Sequence, residues 1–305
     1  QHLNPDLDSY IEAQARKVFY VINGFEENPS ILLEKKYFFI NPKAGFSYHK
    51  NQWLAYASWS RGTKEPNRDD FETGINQVPV PERVDDFEAG VESRKNRFTW
   101  SINFYYMYYH NQLVLTGKIN DVGAYTRTNI PESYRLGTEG QFSATLNKWL
   151  SASANITISR NKISGFTEYI DDYDNGGQKT KQYGTTDISF SPSVISAAGI
   201  TITPLRSFQI VISGKYVGRQ YLDNTSDDSR KLDAWFTQDA RLVYTYSGKH
   251  LKNVEVICQA FNLSNAMYEP NGYTFSYFNN NQLTTSNYYF PMAGRNYMIG
   301  VNVKF

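Results

Sequence analysis

Cysteine is almost missing from this sequence: Cys258 is the only one in 305 residues. A disulfide framework within the chain is therefore excluded, and so is a zinc site built from several thiolates. Histidine is nearly as scarce. His2, His49, His110 and His250 lie far apart and no two share a metal-ligand spacing, so they read as loop and strand-end residues. Charge of one sign is also lacking, since 31 basic residues face 30 acidic ones and leave a net charge of +1. That balance gives no electrostatic footprint for DNA or RNA, which needs a clearly basic face. No run approaches the roughly 18 consecutive apolar residues that carry a helix across a bilayer. The mean hydropathy of −0.55 fits a soluble protein. It also fits a membrane barrel, whose lumen side is polar and whose strands need only alternate apolar residues. No serine stands in a Gly-x-Ser-x-Gly elbow. Asp171, Asp172 and Asp174, followed by Gly176 and Gly177, lack the glutamate that would close a calcium loop, and read as a solvated acidic turn. The chain thus reads as no enzyme, with no cofactor and no metal. Gln1 is not an initiating methionine and no signal segment follows it, so the chain reads as mature or truncated.

Aromatic residues are what the sequence has in excess: 24 Tyr, 19 Phe and 5 Trp make up 16% of it. They combine an apolar body with, for Tyr and Trp, a polar tip suited to a surface half greasy and half wet. Their spacing is periodic. Phe98, Trp100, Ile102, Phe104, Tyr106 and Tyr108 fall on one face, against Thr99, Ser101 and Asn103 on the other. Residues 134–146 and 150–159 repeat the pattern, which marks strands with one apolar and one polar face. Twelve strands are expected, at 10–22, 37–49, 53–61, 83–93, 97–110, 125–146, 149–160, 187–202, 207–221, 232–246, 252–263 and 294–305. The gaps between them alternate strictly between long and short. An up-and-down antiparallel barrel in an outer membrane has this organisation, with tight periplasmic turns and long external loops. The fold class is therefore all-β, a transmembrane barrel whose wall these strands form. Tyr297, Ile299, Val301, Val303 and Phe305 alternate to the end of the sequence. They read as the terminal strand by which the barrel assembly machinery recognises such proteins.

The stretches Phe38 to Gly45, Tyr56 to Arg61 with Glu65 to Arg68, Asn103 to Met107, Asn129 to Arg135 and Asn262 to Asn265, together with the final strand, resemble TonB-dependent outer-membrane receptors of the Bacteroidetes type. The resemblance runs over nearly the whole chain. It implies a 22-stranded barrel closed around a plug, with residues 1–305 as the C-terminal part of the wall and the plug and first strands absent. A half barrel leaves two sheet edges without partners. Either the remaining half of the barrel completes the wall, or twelve strands close by themselves as a smaller barrel. The Phe-Leu-Arg-Leu type of terminal strand typical of glycan receptors is absent, which places the resemblance nearer the importers of iron complexes and cobalamin.

The resemblance implies active transport of a scarce nutrient complex (a ferric siderophore, haem or cobalamin) energised by TonB through the plug. The partners it implies are outer-membrane lipid, the TonB complex and a surface lipoprotein, with no nucleic acid. The rival classes are a passive porin and a surface-binding barrel. The expected ligand contacts lie in external loops: Arg61 and Arg68 in one, Arg219 and Tyr221 in another, and Tyr273, Tyr277 and Phe278 in the last. Arginine offers a fixed donor fork to carboxylates or phosphates, and tyrosine covers flat organic surface at low entropy cost. Cys258 alternates with Val254, Val256 and Ala260, so it is expected to face lipid.

Overall fold

The computed structural model describes residues 2–25, 29, 31–71, 78–119, 125–248 and 252–304. Twelve long strands follow one another along a single sheet: β1 (Leu7–Asn23), β2 (Leu32–Lys50), β3 (Trp53–Lys64), β4 (Glu82–Lys95), β5 (Phe98–Ile119) and β6 (Tyr125–Asn147). The second six are β7 (Leu150–Ser164), β8 (Val194–Leu205), β9 (Phe208–Val217), β10 (Trp235–Tyr246), β11 (Asn253–Phe261) and β12 (Asn296–Lys304). Each pairs antiparallel with the next, and no crossover interrupts the order. Among the described residues β1 and β12 do not pair with each other, so the sheet is open.

Every expected strand has its counterpart, and the long and short connections alternate as expected. The short ones are tight because their chemistry allows it. Asn51 (φ 55°) and Asn96 (φ 38°) take the left-handed conformation that two-residue hairpin loops need and that asparagine tolerates. Several strands run longer than expected, β2 starting at Leu32 rather than 37 and β7 ending at Ser164 rather than 160, and three other differences shape the loops. The stretch 111–124 is not all loop: β5 and β6 continue as an arm, kinked at Asn111 (φ 52°). β8 begins at Val194 rather than 187, because Ile188 and Ser189 turn inward and are buried and Phe190 is left-handed. β9 ends at Val217, short of Arg219 and Tyr221.

Register decides which side chains share a face, since residues directly opposite across antiparallel strands point the same way. Trp100 faces Phe142, Ala154 faces Ala198, Ile210 faces Leu242 and Cys258 faces Ile299. Carried through all the pairings, Trp100, Phe104, Leu150, Ile156, Phe208, Ile210 and Val301 fall on one apolar face, and Cys258 joins them. Arg135, Glu139, Asn155 and Lys304 fall on the other. From Phe98 to Tyr108 the apolar face of β5 rises roughly 25 Å, taking ~3.4 Å per residue and a tilt of ~40°. That is the height of a barrel's hydrocarbon-facing band.

The polar face is stitched by tyrosine rings laid over glycines of the neighbouring strand. The hydroxyl of Tyr10 crosses Gly45, the ring of Tyr56 crosses Gly90 and the hydroxyl of Tyr105 crosses Gly137. A Cβ added to those glycines would stand 2.4–2.7 Å from the nearest tyrosine atom. Only glycine permits that approach. Tyr56 also donates to Asn103 at 2.9 Å, locking β3 to β5 across β4.

Candidate functional site

Three external loops, 165–193, 218–234 and 262–295, fold into a cap at the end of the wall where the long connections lie. In the first, strands Thr167–Asp172 and Gln178–Gln182 form a hairpin. In the last, Asn271–Asn279 and Gln282–Phe290 form another. The two hairpins join edge to edge through a parallel pairing of Tyr277 and Phe278 with Asp171 and Asp172, giving a four-stranded sheet that the sequence did not announce.

Polar struts fix this sheet. The acidic turn works as one of them. Asp172 accepts from the backbone N–H of Asp174 at 3.1 Å and the side chain of Asn175 at 3.1 Å, and pairs with Lys179 at 3.0 Å. The Asn175 and Lys179 bonds, in that order, hold its carboxyl down to about 2. Asp174 accepts from the amides of Asn280 and Asn281, at 2.7 and 2.8 Å. Those two asparagines are both left-handed, so consecutive N–H groups point at the neighbouring hairpin. Among the described residues no group of histidine, cysteine and carboxylate side chains is placed to hold a metal ion.

The loop 218–234 wedges behind both hairpins. Arg230, 4% exposed, pairs with Glu168 at 2.6 Å and Asp223 at 2.7 Å. Tyr183 donates to the same Glu168 at 2.7 Å. Burial raises the Asp223 carboxyl above its ordinary value, and outweighs the opposing pull of Arg230 and Thr225. Asn224, fully buried, accepts from the N–H of Ser189 at 2.8 Å and donates to the carbonyl of Leu115, binding the cap to the β5 arm. Asn287 donates to the carbonyl of Ser229 at 2.7 Å. The last loop springs from the Asn262-Leu263-Ser264-Asn265 segment. There the side chain of Asn262 brackets Ala266, and Asn265 accepts from the N–H of Arg295 at 2.8 Å.

One face of the last hairpin is a row of half-exposed rings. Phe290, Tyr273, Tyr288, Phe275, Tyr277 and Tyr173 follow in order at centroid spacings of 6.0, 4.8, 6.0, 6.0 and 5.3 Å. Tyr273 and Tyr288 lie within 7° of parallel. The opposite face carries Thr274 and Ser276, both buried, and Gly272 against Leu222. The hairpin thus rests on its small polar side and presents its aromatic side.

The residues expected to contact a ligand fall into separate places. Tyr273 and Tyr277 share the aromatic row. Phe278 points to the opposite face of the strand, with the Lys179 ammonium 4.0 Å from its ring centre. Arg219 and Tyr221 form one cluster around Asp228, at 3.1 and 3.4 Å. Arg68 opens the 3-10 turn Arg68–Phe71 and lies over Phe25 at 5.3 Å. The same turn's Asp70 is paired bidentately with Arg127 and Glu65 with Arg16, so these two of the segment's acidic groups are spoken for. Arg61 stands on the apolar face of β3, bonded to Asp85. Of the terminal set, Tyr297, Ile299, Val301 and Val303 share the apolar face against Ala260, Cys258, Val256 and Val254. Phe305 lies outside the described residues.

The struts Glu168, Asp223, Asn224 and Arg230 were not expected. They sit in stretches dense in Asp, Asn, Ser and Thr that read as ordinary solvated loop. Only the isolated Leu222 and Leu232 flanking 223–231, both buried, hint that this loop has an inside.

Residues 24–266 match the family described as TonB dependent receptor-like, beta-barrel. The chain belongs to that family, and it is part of the wall of an outer-membrane barrel of a Gram-negative bacterium. Its fold is similar to the ferric-catecholate import receptor Fiu from E. coli K12, with a TM-score of 0.69 at 14% identity over 100% of this chain and 43% of that one. It is similar too to the copper transporter OprC, with a TM-score of 0.74 at 13% identity over 99% of this chain and 45% of that one. A third similar structure is the ferric citrate transporter FecA, with a TM-score of 0.68 at 16% identity over 97% and 42%. The chain therefore spans less than half the length of the structures it matches. Comparison with curated protein sequences finds no match.

Proposed function

We propose that the chain is the C-terminal part of the wall of a receptor that imports a scarce nutrient complex, energised by TonB through a plug outside residues 1–305. A ferric siderophore is the preferred cargo, with haem and cobalamin as the other members of the class. Two of the similar folds, Fiu and FecA, carry ferric complexes in their names. The motifs shared with Bacteroidetes receptors favour that branch, and a surface lipoprotein is a compatible partner. The terminal strand, with Phe305, serves recognition by the barrel assembly machinery.

The observation that carries the reading is the braced cap with its aromatic row. Three successive external loops, between β7 and β8, β9 and β10, and β11 and β12, are tied by buried ion pairs and edge pairing into one scaffold. A passive pore has no use for so rigid an external structure, whereas a binding site gains affinity from rings already held in place. Tyr273, Tyr277 and their neighbours supply flat area, while Arg68 and the Arg219–Tyr221 cluster supply charge and hydrogen bonds. Phe278 backs the row from behind.

The test is uptake of radiolabelled ferric siderophores by cells carrying the intact receptor, with and without TonB. Tyr273→Ala with Tyr277→Ala is expected to weaken binding by about 2–4 kcal/mol, the range of hot-spot aromatics, while heat-modifiable barrel persists. Uptake that persists without TonB at the wild-type rate would make the protein a porin. Binding without any uptake would make it a surface-binding barrel.

A further inference from the structure

We propose that the apolar face of the wall carries a headgroup site for a phosphorylated lipid of the outer leaflet, made by Arg61 and Arg83 around Asp85 above a shelf of Trp59, Phe87 and Tyr106. The register leaves little freedom in where these side chains point. Arg61 lies opposite Asp85, Asp85 opposite Tyr108, and Trp59 opposite Phe87, which is itself opposite Tyr106. All belong to the face that elsewhere carries Phe104, Ile156 and Val301, the face turned to hydrocarbon. The other charged residues that register places on this face, among them Lys17, Glu132, Arg160 and Lys162, also stand toward the external ends of their strands, where charge keeps access to water.

The cluster sits at the external end of β3 and β4, beside Tyr106 and Tyr108 at the upper limit of the apolar band. The carboxylate is the inner member. Asp85 is 12% exposed, whereas Arg61 is 35% and Arg83 is 40% exposed. Arg61 grips it through Nε at 2.9 Å and Nη2 at 3.2 Å, and Trp59 Nε1 donates to it at 3.3 Å. Arg83 Nε stands 3.5 Å from the other oxygen. Two guanidinium groups thus share one carboxylate. Asp85 orients both and neutralises only one; the next carboxylate on this face, Glu132, stands a further strand away beyond His110, so the two guanidinium groups keep outward N–H groups with no hydrogen-bond partner among the described residues.

A purely structural ion pair has no need of the second arginine. What does need it is an anion that approaches from the lipid side. Guanidinium forks match phosphate oxygens in geometry as well as charge. The groove at this place holds about 410 Å³ and is walled by Trp59, Phe87, Tyr106 and Tyr108. That wall suits the first carbons of an acyl chain hanging below the phosphate, which a free phosphate ion would leave uncovered. The occupant that satisfies both halves of the groove is a phosphorylated lipid with its headgroup at the rim.

Lipid retention measures this directly. The intact receptor would be exchanged from detergent into nanodiscs of phosphatidylcholine doped with bisphosphorylated lipid A or with its dephosphorylated form, then released and weighed by native mass spectrometry. Wild type is expected to keep one lipid A, and Arg61→Gln with Arg83→Gln to lower that occupancy at least about tenfold. Asp85→Asn, which frees both arginines, is expected to keep or raise it, and this separates a lipid site from a fold defect common to the three variants. Equal retention by the double glutamine variant, or equal retention of the dephosphorylated lipid, overturns the proposal. Release by inorganic phosphate alone would make the site one for free phosphate and overturns it too. Siderophore uptake plays no part in this readout, so a failure here leaves the import reading standing.

Discussion

Single residues in this wall act by contact across one strand spacing. The tyrosine–glycine pairs illustrate it. At Gly90 a methyl group would meet the Tyr56 ring at 2.6 Å, with Tyr56 held by Asn103 on its far side. Gly90→Ala is therefore expected to cost about 1–3 kcal/mol through overpacking, read as a lower urea midpoint for loss of the heat-modifiable barrel. Gly199→Ala is the control, because its nearest neighbours begin at 3.7 Å and ordinary contact is tolerated. Equal losses at both positions would show that the tyrosine contact is not what reserves Gly90. Arg230 is the residue on which the cap depends. Replacing it by Leu leaves Asp223 and Glu168 as neighbouring buried carboxylates, and the expected penalty is about 3–5 kcal/mol. That penalty falls on the cap and not on the wall. Hydrogen exchange is thus expected to rise in 167–182 and 220–232 while β7 to β9 stay protected, and uniform exchange across both regions would remove the strut role.

Elements differ in how legible they are. The wall strands announce themselves, because each needs only an apolar residue at every second place, and Phe98 to Tyr108 or Leu150 to Ile158 supply it without interruption. The cap's strands do not. In Asn271–Asn279 the aromatic face is the exposed one and Thr274 and Ser276 are buried. An alternation rule that seeks apolar residues inside therefore reads the strand with the wrong face inward, or as a loop. Arg61 posed a related difficulty: as the last residue of the expected strand 53–61 it reads as the mouth of the loop that follows, and only pairing with Asp85 fixes it on the apolar face of the wall. The acidic turn was legible as a turn but not as a joint, since Asn280 and Asn281 lie more than a hundred residues away.

The acidic turn that carries the joint has a pH signature of its own, through Asp172 rather than Asp174. The carboxyl of Asp172 is depressed to about 2, against roughly 3.9 when unfolded. Its contribution is present in full above about pH 4 and is lost as pH falls toward 2. The backbone N–H groups of Asp174 and Asn175 are expected to stay protected from neutral pH to about 4 and to open below it. Asp172→Asn is expected to show the open behaviour throughout. A turn equally protected at pH 2 and pH 7 would mean the charge is not what holds it.

For the molecule as a whole, the decisive feature is the pair of edges. β1 is 17 residues long, with the short strand His2–Asn4 covering its outer edge only at Leu7 and Asp8, and β12 is nine residues long; between them twelve strands follow one another without closing. In hydrocarbon an unpaired N–H or carbonyl has no water to turn to, so each open edge costs several kcal/mol per group. The chain has two ways to satisfy them. It can pair β1 with β12 in a twelve-stranded barrel, or it can accept the remaining strands of a larger one. Closing on itself would draw the wall to the smaller diameter of a twelve-stranded barrel, since diameter grows with strand number. It would also leave β1 overhanging β12 by the difference in their lengths. The larger barrel avoids both, and agrees with a chain that covers 43% of Fiu and 45% of OprC. Refolded alone in detergent, residues 1–305 are expected to give no heat-modifiable monomer, and to give one when the preceding barrel segment is supplied as a separate chain. Cysteines placed on the apolar face at Ile11 and Val301 decide between the routes. Disulfide formation between them within one 305-residue chain would mean that β1 and β12 meet, and that the twelve strands are a complete barrel.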